Sequence, residues 1–178
     1  MRIRVTPHGQ GANFGTLSWN DNLVPCVLGR GGVSAHKQEG DGQTPIGVFA
    51  LRKVLYRSDR MALPQTSLHT QIIKPTDGWC DDPSDPAYNT AIQFPFSSSA
   101  EQMWREDCLY DMVVVIGHND NPPIKNAGSA IFIHVSKTDA LTSKVLPTEG
   151  CIALEKKMLV ELIEATGPND DIEITESD

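Results

Sequence analysis

Short apolar runs broken by proline and glycine dominate this chain, and their spacing is that of strands. "MRIRVT", Met1–Thr6, alternates polar and apolar positions as an edge strand does. "LVPCVLG", Leu23–Gly29, is a brief apolar run that leads into the glycine-rich "GRGG". "GDGQTPIGVFALRKVLY", Gly40–Tyr56, starts as a polar turn, passes a Pro-Ile-Gly corner and becomes a Val/Phe/Leu stretch of strand period. "DMVVVIGHND" is the clearest strand, and after the turn "NPPIKNAG" a second buried strand follows in "SAIFIHV". There a period of two sets Ile131, Ile133 and Val135 on one face and Phe132 and His134 on the other. "DIEITE" closes as a last alternating strand.

Helical spacing is rarer. "AEQMWREDCLY" predicts a short helix with Ser99 as its N-cap. "LEKKMLVELIEATG" predicts an amphipathic helix with Leu154, Met158, Leu159 and Leu162 on one face and Gly167 as C-terminal cap. Between them and the early strands lies a stretch at about 58–99, rich in Pro, Asp and Ser and poor in periodicity. It reads as a partly ordered excursion, a lid or binding loop. The expectation is one domain, 1–178, mainly β, a sandwich or flattened barrel with one or two helices.

Composition narrows the function. With 178 residues, 39% hydrophobic and 21% charged, the chain is ordinary globular material with enough length for one core. A net charge of −8 with scattered Lys and Arg argues against nucleic acid as a partner. No run approaches the roughly 20 apolar residues that span a bilayer, so no membrane partner is expected. The opening residues carry no secretory pattern, on which a cytoplasmic location is expected, with the periplasm as alternative. Cys26, Cys80, Cys108 and Cys151 form no CxxC pair, so neither a zinc site nor a redox motif is signalled. Asp81, Asp82 and Asp85 lack the register of a calcium loop, and no metal or cofactor is expected.

Candidate chemistry sits near the C-terminus, in "PTEGCIAL", Pro147–Leu154. Cys151 on a Thr-Glu-Gly turn, soon after a strand histidine, suggests a nucleophile with His134 as its base. Gly150 lets the backbone approach a substrate, and Thr148 can fix the turn through its hydroxyl. A helix starting just after Cys151 would aim its N-terminal N–H groups at the sulfur and lower the thiol pKa. His118, ending the strand expected beside that of His134, is a second candidate to line the cleft or act as base. Trp79 and Tyr110 are candidates to pack on a sugar or peptide.

The ordered triplet "GDGQTPIGVF", "GSAIFIHV" and "PTEGCIAL" resembles the catalytic domain of L,D-transpeptidases, the YkuD-type domain, from about Arg30 to the helix after Cys151. That resemblance implies a β-sandwich of mixed sheets and a thiol acyltransferase acting on peptidoglycan stem peptides or muropeptides. It implies attack by Cys151 on the diaminopimelate carbonyl, release of the terminal D-amino acid, and proton transfer through His134. A backbone carbonyl near Val135 would orient the ring, and the N–H groups of Gly150 and Cys151 would hold the oxyanion.

Two positions depart from the family pattern. Glu149 stands where the family has histidine, and Ala153 where it has arginine. A carboxylate beside the thiol should raise its pKa unless it turns away or pairs. The lost cation must be replaced to meet substrate carboxylates, with Arg30 and Lys37 as candidates. Water is favoured over an amine as acceptor, which makes an L,D-carboxypeptidase, and Glu149 is a candidate to orient that water. The alternatives are transpeptidation or D-amino-acid exchange, and a non-catalytic wall-peptide binding module of the same fold. A papain-like protease fits less well, because there the cysteine precedes the histidine.

Overall fold

The computed structural model describes residues 1–176, and strands make up most of its regular structure. The first third supplies β1 (Arg2–Pro7), β2 (Phe14–Trp19), β3 (Asn22–Val27), β4 (Val33–Ser34), β5 (Thr44–Pro45) and the long β6 (Gly47–Tyr56). The middle adds β7 (Thr70–Ile72), β8 (Asp77–Cys80), β9 (Ala91–Gln93) and β10 (Ala100–Gln102). The last third holds β11 (Met112–Ile116), β12 (Phe132–Val135), β13 (Lys137–Thr138), β14 (Val145–Leu146), β15 (Ile152–Leu154), the helix α1 (Lys156–Ala165) and β16 (Asp171–Ile174).

The main sheet runs β11-β12-β15-β3-β2-β1-β16-β6-β7, and because β6 also pairs with β11 it closes on itself. Pairing is mixed: β1 with β16, β12 with β15 and β6 with β7 are parallel, the remaining neighbours antiparallel. Three small sheets, β10-β8-β9, β13-β14 and β4-β5, complete the mainly β, sandwich-like architecture of mixed sheets that the sequence predicts. Among the described residues no helix is long and apolar enough to cross a membrane.

Alternation along the strands builds two cores. One face of every main-sheet strand except the short edge strand β7 contributes to the larger core, with Ile3, Leu17, Trp19, Val114, Ile133, Ile152 and Ile172 buried there. Leu159, Leu162 and Ile163 of α1 pack into the same core. On the opposite face Leu55, Val113, Val115 and Phe132 form a second core with Ile73, Trp79, Met103 and Tyr110. Residues 57–110 therefore cover a sheet face that would otherwise meet water. This explains why "MVVVI" is apolar at every position: β11 is buried on both sides. Phe132 is the pivot, with Trp79 edge-on at 5.1 Å and Tyr110 at 6.0 Å between ring centroids.

Several local expectations need correction. The helix expected at "AEQMWREDCLY" does not form; Ala100–Gln102 pairs with β8 instead, and turns follow. The carbonyls of Arg105, Glu106 and Asp107, which a helix would use internally, accept hydrogen bonds from Arg57 and Arg60. Leu154 belongs to β15, so α1 starts later than its hydrophobic spacing implies, and Met158 is only half-buried. Thr166, in extended conformation, ends α1, and the Gly167 N–H donates to Asp170 rather than capping it. The excursion carries β7, β8 and β9, and its acids brace turns: Asp82 accepts from Ser84, and Asp85 from Ala87 and Ser98.

Truncating the pivot should release the covering segment. Phe132→Ala is expected to cost about 3–5 kcal/mol, seen as a lowered urea midpoint. Ile124→Ala, at a residue 67% exposed, should stay within about 0.5 kcal/mol of the parent.

Candidate active site

The parallel pairing of β12 with β15 sets the site. Ile133 is level with Ile152 and His134 with Ala153, so Cys151, one residue earlier, lies level with Phe132. The Phe132 N–H donates to Cys151 Sγ at 3.4 Å, and the thiol donates to the Ala130 carbonyl at 3.2 Å. Cys151 and His134 open into one cavity of about 530 Å³. Lys37, Glu39, Glu101, Arg105, Tyr110 and Thr148 are among its walls.

The turn before the cysteine is held from three directions. The Thr148 hydroxyl donates to the Cys151 carbonyl at 2.6 Å and accepts from the Gly150 N–H at 3.1 Å. Its backbone is clamped to the segment after β3, donating to the Leu28 carbonyl and accepting from the Arg30 N–H. Gly150 has φ of +138°, and a Cβ there would stand 2.9 Å from the Gln43 carbonyl, so no other residue fits without displacing the chain. Two expectations change here. Gly150 spends its N–H on Thr148 and does not present it to the cavity. The helix dipole does not reach the sulfur either, because β15 intervenes before α1 begins.

His134 is 6% exposed and its Nδ1 lies 2.8 Å from the Val135 carbonyl. A carbonyl only accepts, so Nδ1 carries the proton and Nε2 keeps its lone pair. The Tyr110 ring packs edge-on against the imidazole at 5.4 Å. Burial lowers the His134 pKa to about 4, against the opposing effect of the Val135 carbonyl. Burial also pushes the Cys151 thiol up to about 12, and the charge of Glu101 pushes the same way. At neutral pH the pair is therefore thiol and neutral imidazole, and the thiol proton rests on Ala130 rather than on His134. The S–H must turn away from Ala130 before the imidazole can take its proton.

The remaining expected residues divide. Glu149 lines the cavity mouth but turns outward, its carboxylate 2.7 Å from Arg30 Nε in an exposed ion pair. The carboxylate acting on the thiol is thus Glu101, not Glu149. Arg30, spent on Glu149, is not part of the cavity wall. Lys37 does line the cavity, but its ammonium is bound by Asp41 and the Gln38 carbonyl, with 6% of the side chain exposed. His118 Nε2 donates to the Ala127 carbonyl at 2.9 Å and the ring packs on Phe49 at 5.4 Å, lining a separate pocket away from Cys151. Trp79 is a wall of the second core, its indole N–H on Asn89. All four cysteines are free thiols.

Sequence reading did not single out Glu101 or Arg105, and both come from the covering segment. Glu101 is half-buried in the cavity wall and accepts the Tyr110 hydroxyl at 2.5 Å; desolvation raises its pKa. The strand pairing that places Glu101 opposite Trp79 was hidden by the helix-like spacing of "AEQMWRED".

Removing the Glu101 charge should make the thiol more acidic. In Glu101→Gln the pH profile of Cys151 alkylation, followed site by site by peptide mass spectrometry, is expected to move to lower pH. The profile of Cys26, whose thiol burial alone pushes up to about 12, should stay in place. An unmoved Cys151 profile would show that burial alone sets its pKa.

Residues 15–174 match the family model described as YkuD, the L,D-transpeptidase catalytic domain. Comparison with curated proteins returned no match, and comparison with solved structures returned none either. The match covers nearly the whole chain, including the cysteine turn, the histidine strand and the Gly-Asp-Gly turn: this chain belongs to the YkuD family of L,D-transpeptidase catalytic domains.

Proposed function

We propose that this protein is a cysteine acyltransferase of peptidoglycan stem peptides that hands its acyl group to water, an L,D-carboxypeptidase. Members of the family are cysteine L,D-transpeptidases that act on peptidoglycan peptides. The observation that carries the reading is Cys151 and His134 facing one cavity, with His134 Nδ1 fixed on the Val135 carbonyl.

In this reading Cys151 Sγ attacks the carbonyl at the L-centre of diaminopimelate. His134 Nε2 takes the thiol proton as the carbon–sulfur bond forms, since neither group is charged beforehand. The oxyanion is met by the Cys151 N–H, since the Gly150 N–H is taken by the Thr148 hydroxyl. Collapse returns the proton from His134 to the leaving amine and frees the terminal D-amino acid, leaving a thioester on Cys151. Water then adds to the thioester carbon, His134 takes its proton, and the tripeptide leaves as the thiol is restored.

The cavity walls support water as acceptor. Glu101 is a half-buried carboxylate beside the thiol with capacity to hold a water through its lone pairs. Glu39 and Asp81 add further carboxylates to the same wall, which disfavours the acidic flank of a second stem peptide. Glu149, turned to Arg30, is not needed for the step.

The reading has direct tests. Cys151→Ala should abolish turnover. His134→Ala should lose on the order of 10²–10⁴ in rate, and His118→Ala far less. The acid limb of kcat/KM should centre near the His134 value of about 4, well below the ordinary 6.5. Incubation of a tetrapeptide muropeptide, with and without excess D-amino acid, should give tripeptide as the main product by mass spectrometry. A dimer or an exchanged tetrapeptide as main product would overturn water as acceptor. Absence of any Cys151 adduct with an acylating β-lactam would favour the binding-module alternative.

A further inference from the structure

The family arginine two residues past the cysteine is replaced by Ala153, which is 1% exposed and level with His134 on the neighbouring strand. The cavity still has to meet a substrate that ends in a carboxylate. Three cations line it: Lys37, Arg105 and Lys137. Lys37 is buried and bound by Asp41 and the Gln38 carbonyl. Lys137 stands exposed on β13, at the rim. Arg105 is different in each respect that matters for a carboxylate.

Its guanidinium is held in place yet half unspent. Asp107 takes Nε at 2.8 Å and Nη2 at 2.7 Å in a bidentate pair, while Nη1 has no hydrogen-bond partner among the described residues. The side chain is 32% exposed and lines the cavity. Its backbone is fixed as well: Arg57, itself paired with Asp59 and lying 3.4 Å over the Trp104 ring, donates to the Arg105 carbonyl at 2.8 Å. An arginine so braced loses little freedom on binding, and its fork suits a carboxylate better than a lysine does.

Its position also selects which carboxylate. The Arg105 guanidinium lies 5.2 Å from the Tyr110 ring centroid, and that ring lies 5.4 Å from the His134 ring. Arg105 can be no farther from the imidazole than these two steps together. His134 must reach the leaving amine to protonate it. In an α-amino acid the carboxylate is one carbon removed from that amine, roughly 3 Å away, and a hydrogen bond at each end adds roughly 3 Å more. A single D-amino acid hydrogen-bonded at both ends reaches roughly 9 Å, within that upper limit.

We propose that Arg105 is the carboxylate-binding residue of the cavity, holding the C-terminal carboxylate of the D-amino acid that His134 releases; this rests on the stem-peptide reading above. It makes the covering segment part of the substrate site, and it makes a free C-terminus the feature by which substrate is selected.

The test is equilibrium binding by calorimetry to the full chain carrying Cys151→Ala, so that no turnover intervenes. Two tetrapeptide stems are compared, one ending in D-alanine as the free acid and one as the carboxamide. The acid should bind roughly 10- to 100-fold more tightly than the amide. Adding Arg105→Ala should erase most of that ratio, Arg105→Lys should keep part of it, and Lys137→Ala should keep it whole. Both peptides are measured on the same preparation, so a partly unfolded variant changes the binding stoichiometry and not the ratio. An unchanged ratio in Arg105→Ala, or its loss in Lys137→Ala, would overturn the proposal while leaving the stem-peptide reading intact. Binding of neither peptide to the Cys151→Ala chain would instead sink that reading, and the anchor with it.

Discussion

Strand β12 is buried on both faces, and that constraint organises the molecule. Ile133 and Val135 face the larger core, while Phe132 and His134 face the segment that covers the sheet. A strand with one wet face would leave His134 hydrated and mobile. Covered on both sides, the ring has one partner within reach, the carbonyl of the next residue, and that single hydrogen bond fixes its tautomer. The same covering removes water from Cys151. Both reactive groups are thereby held neutral by one cause, desolvation, with neighbouring charges adding smaller effects.

The covering segment is in turn held by charge as much as by apolar contact. Arg57 and Arg60, at its start, donate to the carbonyls near its end, and Arg60 shares the buried Asp111 with Lys156 of α1. These bonds tie both ends of the segment to β11 and to the helix. The segment lacks regular periodicity because its backbone is satisfied by arginine side chains and short ladders instead of long strands. It is nonetheless the source of Glu101, Arg105 and Tyr110 at the site.

That division explains what the sequence discloses. Alternation in "AIFIHV" and the Val run before it predict the central strands and the face on which His134 stands, because period two is a backbone property. The Thr-Glu-Gly-Cys turn is legible too, since Gly150 and Thr148 each have a local reason to be there. Partners distant in sequence are not legible in this way. Nothing local tells that Glu149 will meet Arg30, or that "AEQ" will pair with β8 and bring Glu101 to the thiol. The helix expected at that point fails for the same reason: its carbonyls have better donors elsewhere in the chain. The carboxylate whose charge raises the Cys151 thiol is Glu101 rather than Glu149, and its position depends on tertiary pairing.

A thiol that stays protonated to about 12 is also a poor target for oxidants and electrophiles, which react with the thiolate. The burial that makes Cys151 unreactive at rest therefore shields it from peroxide and from chance alkylation. In the proposed mechanism its nucleophilicity appears only as the S–H turns from Ala130 towards His134. On the proposed mechanism, the fold thus shields the nucleophile itself from chemical damage. Cys108, the exposed thiol, is left to meet such reagents instead.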